Sequence, residues 1–293
     1  MCQYSVLMSV YKEENPAFLR LSAESMLNQT LPTDDFVLLC DGPLTEELDA
    51  VIEHLENEYH PCVRVIRFEE HRGLGKCLND GLHLCKHELI ARMDSDDIAN
   101  KLRCEKQVEK FCENPKLDIV GGNVEEFEGD VRNITSMKQM PITNEEIVEY
   151  SKLRCPFNHP TVMYRKSAVL AVGGYPDEYR CEDYGLWVRL LQNGSLSENL
   201  PMTLCYMRVD CGLHKRRGGV RFLLDLIAFR FNIYSIGYVS LPKTLYVIFV
   251  CTAVCLMPNS LRKKFYNKFL RSRNSDNTNG KSSATPEKDG EVG

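Results

Sequence analysis

The first 130 residues alternate short apolar runs with segments whose apolar residues recur every three or four positions. The apolar runs lie at 4–10, 35–40, 62–68 and 88–93, and a longer one lies at 117–127. After Pro16, the spacing of Leu19, Ala23 and Met26 predicts a helix that begins at the proline. Strand-length runs that alternate with amphipathic helices predict an α/β fold with a mainly parallel sheet and helices on both faces.

The pattern changes after residue 130. Thr143 and Glu146 have the spacing of a capping box and predict a helix near 143–153. A strand is predicted at 161–164, a helix at 182–194 and a closing strand at 203–209. We therefore expect one catalytic domain over 1–212, with halves 1–130 and 131–212. A helical extension over 213–271 and a disordered polar tail over 272–293 complete the predicted organisation.

Polar features follow three of the predicted strands. Asp41 follows the second strand, a glycine-containing loop at 71–76 follows the third, and Asp94 follows the fourth. Ligands in such sheets bind beyond the carboxyl ends of the strands. We expect these features to meet at one edge of the sheet.

The stretch LIARMDSDDIANKLR, residues 89–103, places three carboxylates within four residues. Such crowding is costly unless a positive charge lies among them. Asp96 or Asp97 could simply cap the following helix, which would need only one acid. A calcium loop would need glycine at its sixth position, where Ala99 stands.

Two further interpretations of these acids remain open. An Asp-x-Asp phosphohydrolase also places acids after a strand, although there it is usually the first strand of the domain. Alternatively, Asp94 and Asp96 project to the same side of an extended chain and can address one divalent cation. Carboxylates suit Mg²⁺ or Mn²⁺, which commonly take further oxygens from a substrate's phosphates.

Composition narrows the class of protein. The net charge is −5, with 43% hydrophobic and 26% charged residues, which is typical of a globular protein and argues against nucleic acid as a partner. The thirteen cysteines include no Cys-x-x-Cys pair, so a reducing cytoplasm suits them better than a disulfide framework. The opening residues lack the features of a signal peptide.

The segments MSVYKEEN, CDG, GLGKCLNDGL, ARMDSDDI, HPTVMYRKSAVLAVGGY and EDYGLWVRL, in this order, resemble the family 2 glycosyltransferases. The resemblance covers about residues 4–210 and is to members that build bacterial capsular and exopolysaccharides, such as amylovoran. It implies the A-type glycosyltransferase fold, with a Rossmann-like sheet, and hexosyltransferase activity.

The resemblance also implies roles for individual residues. The positions that match nucleotide-sugar contacts are Val10, Glu13, Asp41, Gly75, Lys76, Asp94 and Ser95. Those that match metal contacts are Asp96, Asp94 and His159. Asp183, paired with Glu182, matches the catalytic base. Trp187 on the same predicted helix is expected in the core. The chain departs from the family pattern after Asp41, where Gly42-Pro43-Leu44 replaces the common Gly-Ser-Thr.

The implied reaction is inverting transfer of a sugar from a nucleoside diphosphate donor, expected to be a UDP-sugar. Its acceptor would be a glycan or a polyprenyl-linked oligosaccharide of a surface polysaccharide, and its cofactor Mn²⁺ or Mg²⁺. A phosphohydrolase and a non-catalytic nucleotide-sugar-binding protein remain as alternatives.

The apolar segment LYVIFVCTAVCLM, residues 245–257, is too short to span a bilayer. Basic segments at 214–221 and 261–273 flank it, a combination that favours peripheral attachment to the inner face of the cell membrane over a simple core helix. Arg216 and Arg217 could alternatively reach the diphosphate.

Overall fold

The computed structural model describes residues 3–176, 181–209 and 220–257. The strands are β1 Tyr4–Val10, β2 Phe36–Cys40, β3 Val63–Arg67, β4 Leu89–Met93, β5 Ile98–Ala99, β6 Leu117–Phe127, β7 Ile134–Lys138, β8 Met163–Arg165 and β9 Leu196–Arg208. The helices are α1 Pro16–Leu27, α2 Glu46–Glu58, α3 Leu74–Leu84, α4 Arg103–Glu113, α5 Asn144–Ser151, α6 Lys166–Ala171, α7 Glu182–Gln192, α8 Val220–Ser235 and α9 Leu241–Leu256.

The strands form one sheet in the order β3–β2–β1–β4–β8–β6–β9–β5, with β7 paired to β6. The four strands β3, β2, β1 and β4 are parallel, because α1, α2 and α3 each return the chain to the same end of the sheet. β8 runs antiparallel to both β4 and β6, whereas β6 and β9 are parallel. The predicted α/β fold is confirmed, with a parallel first half and a mixed second half.

Both faces of the parallel half are buried, which explains its continuous apolar runs. Val6 and Met8 of β1 pack in one core with α1, α2 and α4, while Leu7 packs on the opposite face with α3 and α7. This alternation is the period of two expected of a strand. Trp187 on α7 is fully buried in the second core, as predicted.

Helix starts also follow the sequence pattern. Asn15 accepts a hydrogen bond from the Ala17 N–H and caps α1, with Pro16 at its first position. Thr143 and Glu146 form the predicted capping box at the start of α5. These capping interactions determine the residue at which each of the two helices begins.

Strand β9 begins seven residues earlier than the predicted 203–209. Its first part contains polar residues and Pro201, which argue against a strand when the sequence is taken alone. Pairing with β6 stabilises it nonetheless, and the register shifts between Gly122 and Asn123. Tertiary pairing thus outweighs local preference here.

Helices α8 and α9 form a hairpin that packs on α7. Phe229 and Ile233 of α8 lie in a buried cluster with Tyr184 and Val188 of α7. No helix within the described ranges is both long and apolar enough to cross a membrane. The predictions for Arg216, Arg217, the basic segment 261–273 and the tail 272–293 fall outside the described residues.

Candidate functional site

A cleft of about 510 Å³ lies at the carboxyl ends of the parallel strands. The predicted site residues that line it are Val10, Glu13, Asp41, Gly75, Lys76, Asp94, Ser95, Asp96 and Glu182. They come from the ends of β1, β2 and β4, from the start of α3 and from the start of α7. The expected meeting of these segments at one sheet edge is therefore confirmed.

Asp41 organises the loop that follows β3. Its carboxylate accepts hydrogen bonds from the backbone N–H groups of Arg72 (2.7 Å) and Gly73 (3.1 Å). His71 Nδ1 lies 3.0 Å from the same carboxylate. Gly42 has a φ of +88°, and a side chain there would come within 2.8 Å of the His71 backbone nitrogen. Asp41 and Gly42 together allow the 71–76 loop to close onto the end of β2.

Asn79 brings the segment before α7 to the cleft. Its side-chain amide donates to the Tyr175 carbonyl (2.9 Å) and accepts from the Tyr175 N–H (2.7 Å). The adjacent Gly174 has a φ of +75°, and a Cβ there would lie 2.3 Å from the Asn79 oxygen. This close approach places Pro176 in the wall of the cleft beside Gly75.

A buried arginine lies beneath Asp94. Arg92 is 1% exposed, and its Nη2 forms an ion pair with the Asp94 carboxylate. Its Nε and Nη1 have no hydrogen-bond partner within the part of the chain that the structure describes. Tyr164, Tyr175 and Asp183 lie near enough for their ionisation to be affected by this cation. Arg92 therefore compensates part of the negative charge of the cleft from below.

Carboxylates crowd the centre of the cleft. Burial, reinforced by the neighbouring Asp94 and Glu14 carboxylates, raises the pKa of Asp96 to about 7. Glu14 accepts a 2.5 Å hydrogen bond from the Ser95 hydroxyl.

Asp97 does not cap a helix: it is buried, its carboxylate accepts from the Arg208 N–H (2.8 Å), and strand β5 separates it from α4. The helix-cap explanation of these acids is thus wrong.

Arg208, the last residue of β9, covers one side of this acidic cluster. Its Nε donates to the Asp96 carbonyl (3.1 Å), and its guanidinium lies 3.7 Å above the Phe18 ring and 4.6 Å from the Phe127 ring. Cation–π contacts of this kind hold an arginine head group in place. Arg208 lines the cleft and places a fixed positive charge in its wall.

The predicted base lies beside the cleft, at the start of α7, and is partly exposed. Glu182 faces the cleft, whereas Asp183, next on α7, does not line it. One Asp183 oxygen accepts from the Tyr184 N–H (2.7 Å), and the Cys155 thiol donates to the other at 3.8 Å. Burial raises the pKa of Asp183, against the opposing influence of that N–H and of Arg92. A carboxylate of raised pKa is better able to accept a proton near neutral pH.

His159 is not brought to the cleft. Its ring packs against Trp187 and Tyr175, and its Nε2 lies 3.1 Å from the Tyr175 hydroxyl. Burial, together with nearby Arg92, lowers the pKa of His159 well below its ordinary value. The structure therefore places this residue in an aromatic cluster, and it is not among the residues that line the cleft.

Two carboxylates in the cleft fit a divalent cation as partial ligands. Among residues 3–176, 181–209 and 220–257, no group of three or more His, Cys, Asp or Glu side chains could hold a metal ion. Asp94 and Asp96 offer hard oxygen donors, and a cation would relieve the carboxylate repulsion that adds to burial in raising the pKa of Asp96. Such an ion would need further oxygens from a ligand, as phosphate-bound Mg²⁺ and Mn²⁺ commonly do.

Glu14, Arg92 and Arg208 belong to the site but were not predicted from the sequence. An arginine inside the apolar run LIARM could have indicated Arg92, because a buried cation needs an anionic partner nearby. Glu14 stands beside the predicted Glu13 in a turn whose geometry the sequence leaves open. The position of Arg208 in the cleft follows only from the pairing of β9 with β6, which the sequence alone does not indicate.

The model of the family described as glycosyl transferase family 2 matches residues 5–173. An uncharacterized glycosyltransferase of Haemophilus influenzae is 40% identical over 92% of this chain and 99% of its own length. The UDP-Gal:alpha-D-GlcNAc-diphosphoundecaprenol beta-1,3-galactosyltransferase of Escherichia coli is 35% identical over 92% of this chain and 97% of its own length. The amylovoran biosynthesis glycosyltransferase AmsE of Erwinia amylovora is 35% identical over 90% and 98%.

Solved structures share the fold. The mannosyltransferase PcManGT from Pyrobaculum calidifontis, in complex with GDP-Man and Mn²⁺, has a TM-score of 0.60 at 15% identity over 89% of this chain and 71% of its own. S. aureus TarS 1–349 in complex with UDP-GlcNAc has a TM-score of 0.57 at 18% identity over 92% and 71%. These A-type glycosyltransferases confirm the fold class, and the family match removes the phosphohydrolase interpretation. The chain belongs to glycosyl transferase family 2 and is a glycosyltransferase.

Proposed function

We propose that this glycosyltransferase moves a sugar, with inversion, from a UDP-sugar to a lipid-linked glycan acceptor at the cytoplasmic face of the membrane. The observation that carries the proposal is the cleft in which Asp94, Asp96 and Glu14 lie together beside Arg208. A nucleoside diphosphate brings two negative phosphates, so it binds such acids only through a shared cation. The mixture of charges in the cleft therefore suits a diphosphate with a divalent ion.

The donor's nucleoside would lie between the end of β1 and the 71–76 loop. Val10, Glu13 and the Asp41-ordered loop form this part of the cleft, and Lys76 stands at the start of α3. A helix N-terminus and a lysine both favour phosphate oxygens. The relatives from Escherichia coli and S. aureus, with UDP-Gal and UDP-GlcNAc in their descriptions, support a uridine donor.

Asp94 and Asp96 would hold Mn²⁺ or Mg²⁺, with Ser95 ordered between them by Glu14. When bound, the cation neutralises the charge that develops on the departing diphosphate. His159 is left out of this set because its ring faces Tyr175 and Trp187. The Arg208 guanidinium, in the wall of the cleft beside these acids, supplies a second positive charge near the departing diphosphate.

Asp183 would act as the base. Inverting transfer requires one group to take the proton of the acceptor hydroxyl while that oxygen attacks the anomeric carbon. Burial raises the pKa of Asp183 and so makes its carboxylate a better proton acceptor than an exposed one. Glu182, in the cleft wall, would orient the acceptor. The diphosphoundecaprenol acceptor named for the Escherichia coli relative supports a lipid-linked acceptor here.

The test is donor turnover by the purified full-length chain. A panel of UDP-, GDP- and other nucleotide-sugars is incubated with a diphosphoundecaprenol-linked acceptor and Mn²⁺ or Mg²⁺, and release of the nucleoside diphosphate is measured. We expect release with a UDP-sugar, loss of release in EDTA and a fall of about 100-fold or more in Asp96→Asn.

The matched control is Glu53→Gln, an exposed acid on α2 that does not line the cleft, which should retain activity. Full turnover in EDTA would contradict the metal role of Asp94 and Asp96. Turnover with a GDP-sugar but no UDP-sugar would overturn the proposed donor.

A further inference from the structure

Helix α9 exposes bulky apolar side chains. Leu241, Leu245, Tyr246 and Phe249 recur at helical spacing on its outer side, and we refer to them as the apolar stripe. Phe249 is 74% exposed and Tyr246 61%. Eight of the fifteen large apolar side chains that are exposed among the described residues lie between 224 and 249. Such a concentration marks an interaction surface.

Among residues 3–176, 181–209 and 220–257, the apolar stripe takes no part in the buried core. The other side of α9 supplies the buried Val247, Val254 and Cys255, while α9 packs along α8. The helix is therefore apolar nearly all round, which is typical of an element surrounded by protein or by lipid. Its sixteen residues are too few to cross a bilayer.

Charge decides between a lipid surface and a second copy of the chain. Residues 211–275 contain twelve Lys and Arg and a single acid, Asp225, in a chain whose net charge is −5. Two copies meeting at this region would bring like charges together. A bilayer with anionic head groups attracts it instead, by roughly 1 kcal/mol for each basic residue near the surface.

The hairpin is held firmly on the catalytic domain. Arg230 of α8 donates to the carbonyls of Lys152 (3.2 Å) and Leu153 (2.5 Å), which follow α5. Gln192, at the end of α7, donates to the Ile236 carbonyl (2.7 Å). These hydrogen bonds attach the hairpin to α7 and to the segment that follows α5.

We propose that the apolar stripe docks the protein on a bilayer whose anionic head groups attract the net positive charge of residues 211–275. Phe249, Tyr246 and the two leucines enter the interface between head groups and acyl chains, and the positive charge of the segment adds attraction to anionic head groups. The consequence for catalysis rests on the proposed function: the cleft is held beside the membrane in which a lipid-linked acceptor lies.

The test is vesicle sedimentation of the full-length chain. We expect binding to vesicles of phosphatidylglycerol and phosphatidylethanolamine, weaker binding at high salt and little binding to phosphatidylcholine alone. The double variant Leu245→Ser/Phe249→Ser should lower the partition coefficient by about tenfold or more, since two bulky apolar groups leave the interface. The matched control is Leu21→Ser, which removes a leucine that is 47% exposed on α1, and it should bind as the parent does.

The double variant should also transfer sugar to a short-chain, water-soluble acceptor at the parent's rate while losing transfer to acceptor embedded in vesicles. Because both side chains are exposed, its unfolding midpoint should equal the parent's. Parent-like vesicle binding by the double variant would overturn the proposal. So would a parent dimer in sedimentation velocity that the double variant dissociates. Vesicle binding without transfer to any acceptor would refute the proposed function alone.

Discussion

The three clustered acids after β4 are stabilised in part by charges that the protein itself supplies. Arg92 pairs with Asp94 from the buried side, while the Arg208 guanidinium donates to the Asp96 carbonyl and the Arg208 backbone N–H to the Asp97 carboxylate. Even so, burial and neighbouring carboxylates raise the pKa of Asp96 to about 7 and that of Asp97 well above its ordinary value. The negative charge of these two carboxylates is therefore not fully compensated, and of the two only Asp96 lines the cleft.

Replacing Asp183 with asparagine tests the base. The amide side chain would keep the shape and the hydrogen bond from the Tyr184 N–H but could not accept a proton. We expect Asp183→Asn to lower kcat by about 10²–10⁴-fold while donor affinity stays within about threefold. Donor binding is measured by calorimetry and turnover by diphosphate release, with Glu53→Gln as the control. Retained turnover would assign the base elsewhere and leave a non-catalytic role for Asp183.

The raised pKa of Asp96 predicts how stability changes with pH. The protonated carboxyl is favoured in the fold, so its contribution is fully present below about pH 4 and is lost as the pH rises to about 7. In metal-free protein, the thermal midpoint of the parent should therefore fall over this range relative to that of Asp96→Asn. If the thermal midpoints of the parent and of Asp96→Asn changed equally with pH, this prediction would be contradicted.

Metal binding should be stronger when the Asp96 carboxyl is ionised. At pH 7.5 Mn²⁺ with UDP should raise the thermal midpoint by about 5 °C or more, and clearly less at pH 5.5, where Asp96 is protonated. Scanning fluorimetry with and without EDTA measures the difference. Equal shifts at the two pH values would show that Asp96 is not a ligand.

Among the elements, α3 depends on close contact with the sheet. Gly81 faces β1 and β2, and a Cβ there would lie 2.5 Å from Leu39 and 2.6 Å from Leu7 side-chain atoms. We expect Gly81→Ala to lower the free energy of unfolding by about 1–2 kcal/mol, because overpacking exceeds the gain in helix propensity. Gly75→Ala, on the same helix, meets nothing closer than 3.4 Å and should not destabilise the protein in urea titrations. Equal effects of the two substitutions would contradict this explanation.

Most elements could be predicted because each carries its own signal. Strand β1, the start of α1 at Pro16 and the capping box at Thr143 follow from local pattern alone. Strand β9 could not be placed in full, since its first half is polar and is stabilised by β6. The same limit applies to the site. Residues at strand ends, such as Asp41 and Asp94, were predictable, whereas Arg208 depends on long-range pairing.

At the scale of the whole molecule, Arg230 joins the hairpin to the catalytic domain. It is 4% exposed, and Arg230→Ala removes both hydrogen bonds to the carbonyls after α5 and a contact 5.2 Å from the Tyr184 ring. We expect a loss of about 2–4 kcal/mol in the free energy of unfolding and faster proteolysis of the hairpin. Arg221→Ala, an exposed change on the same helix, is the control for both measurements. A cleavage rate equal to that of the parent would contradict this linking role.

Helix α7 presents Glu182 to the cleft at one end and supports Phe229 and Ile233 along its length through Tyr184 and Val188. Selection for catalysis and selection for hairpin packing therefore act on the same eleven residues. As members of the family diverge, Tyr184 and Val188 should change together with their partners on α8 rather than singly. In a mutational scan for activity, inward-facing hairpin positions would then score as if they were catalytic, although they touch no substrate.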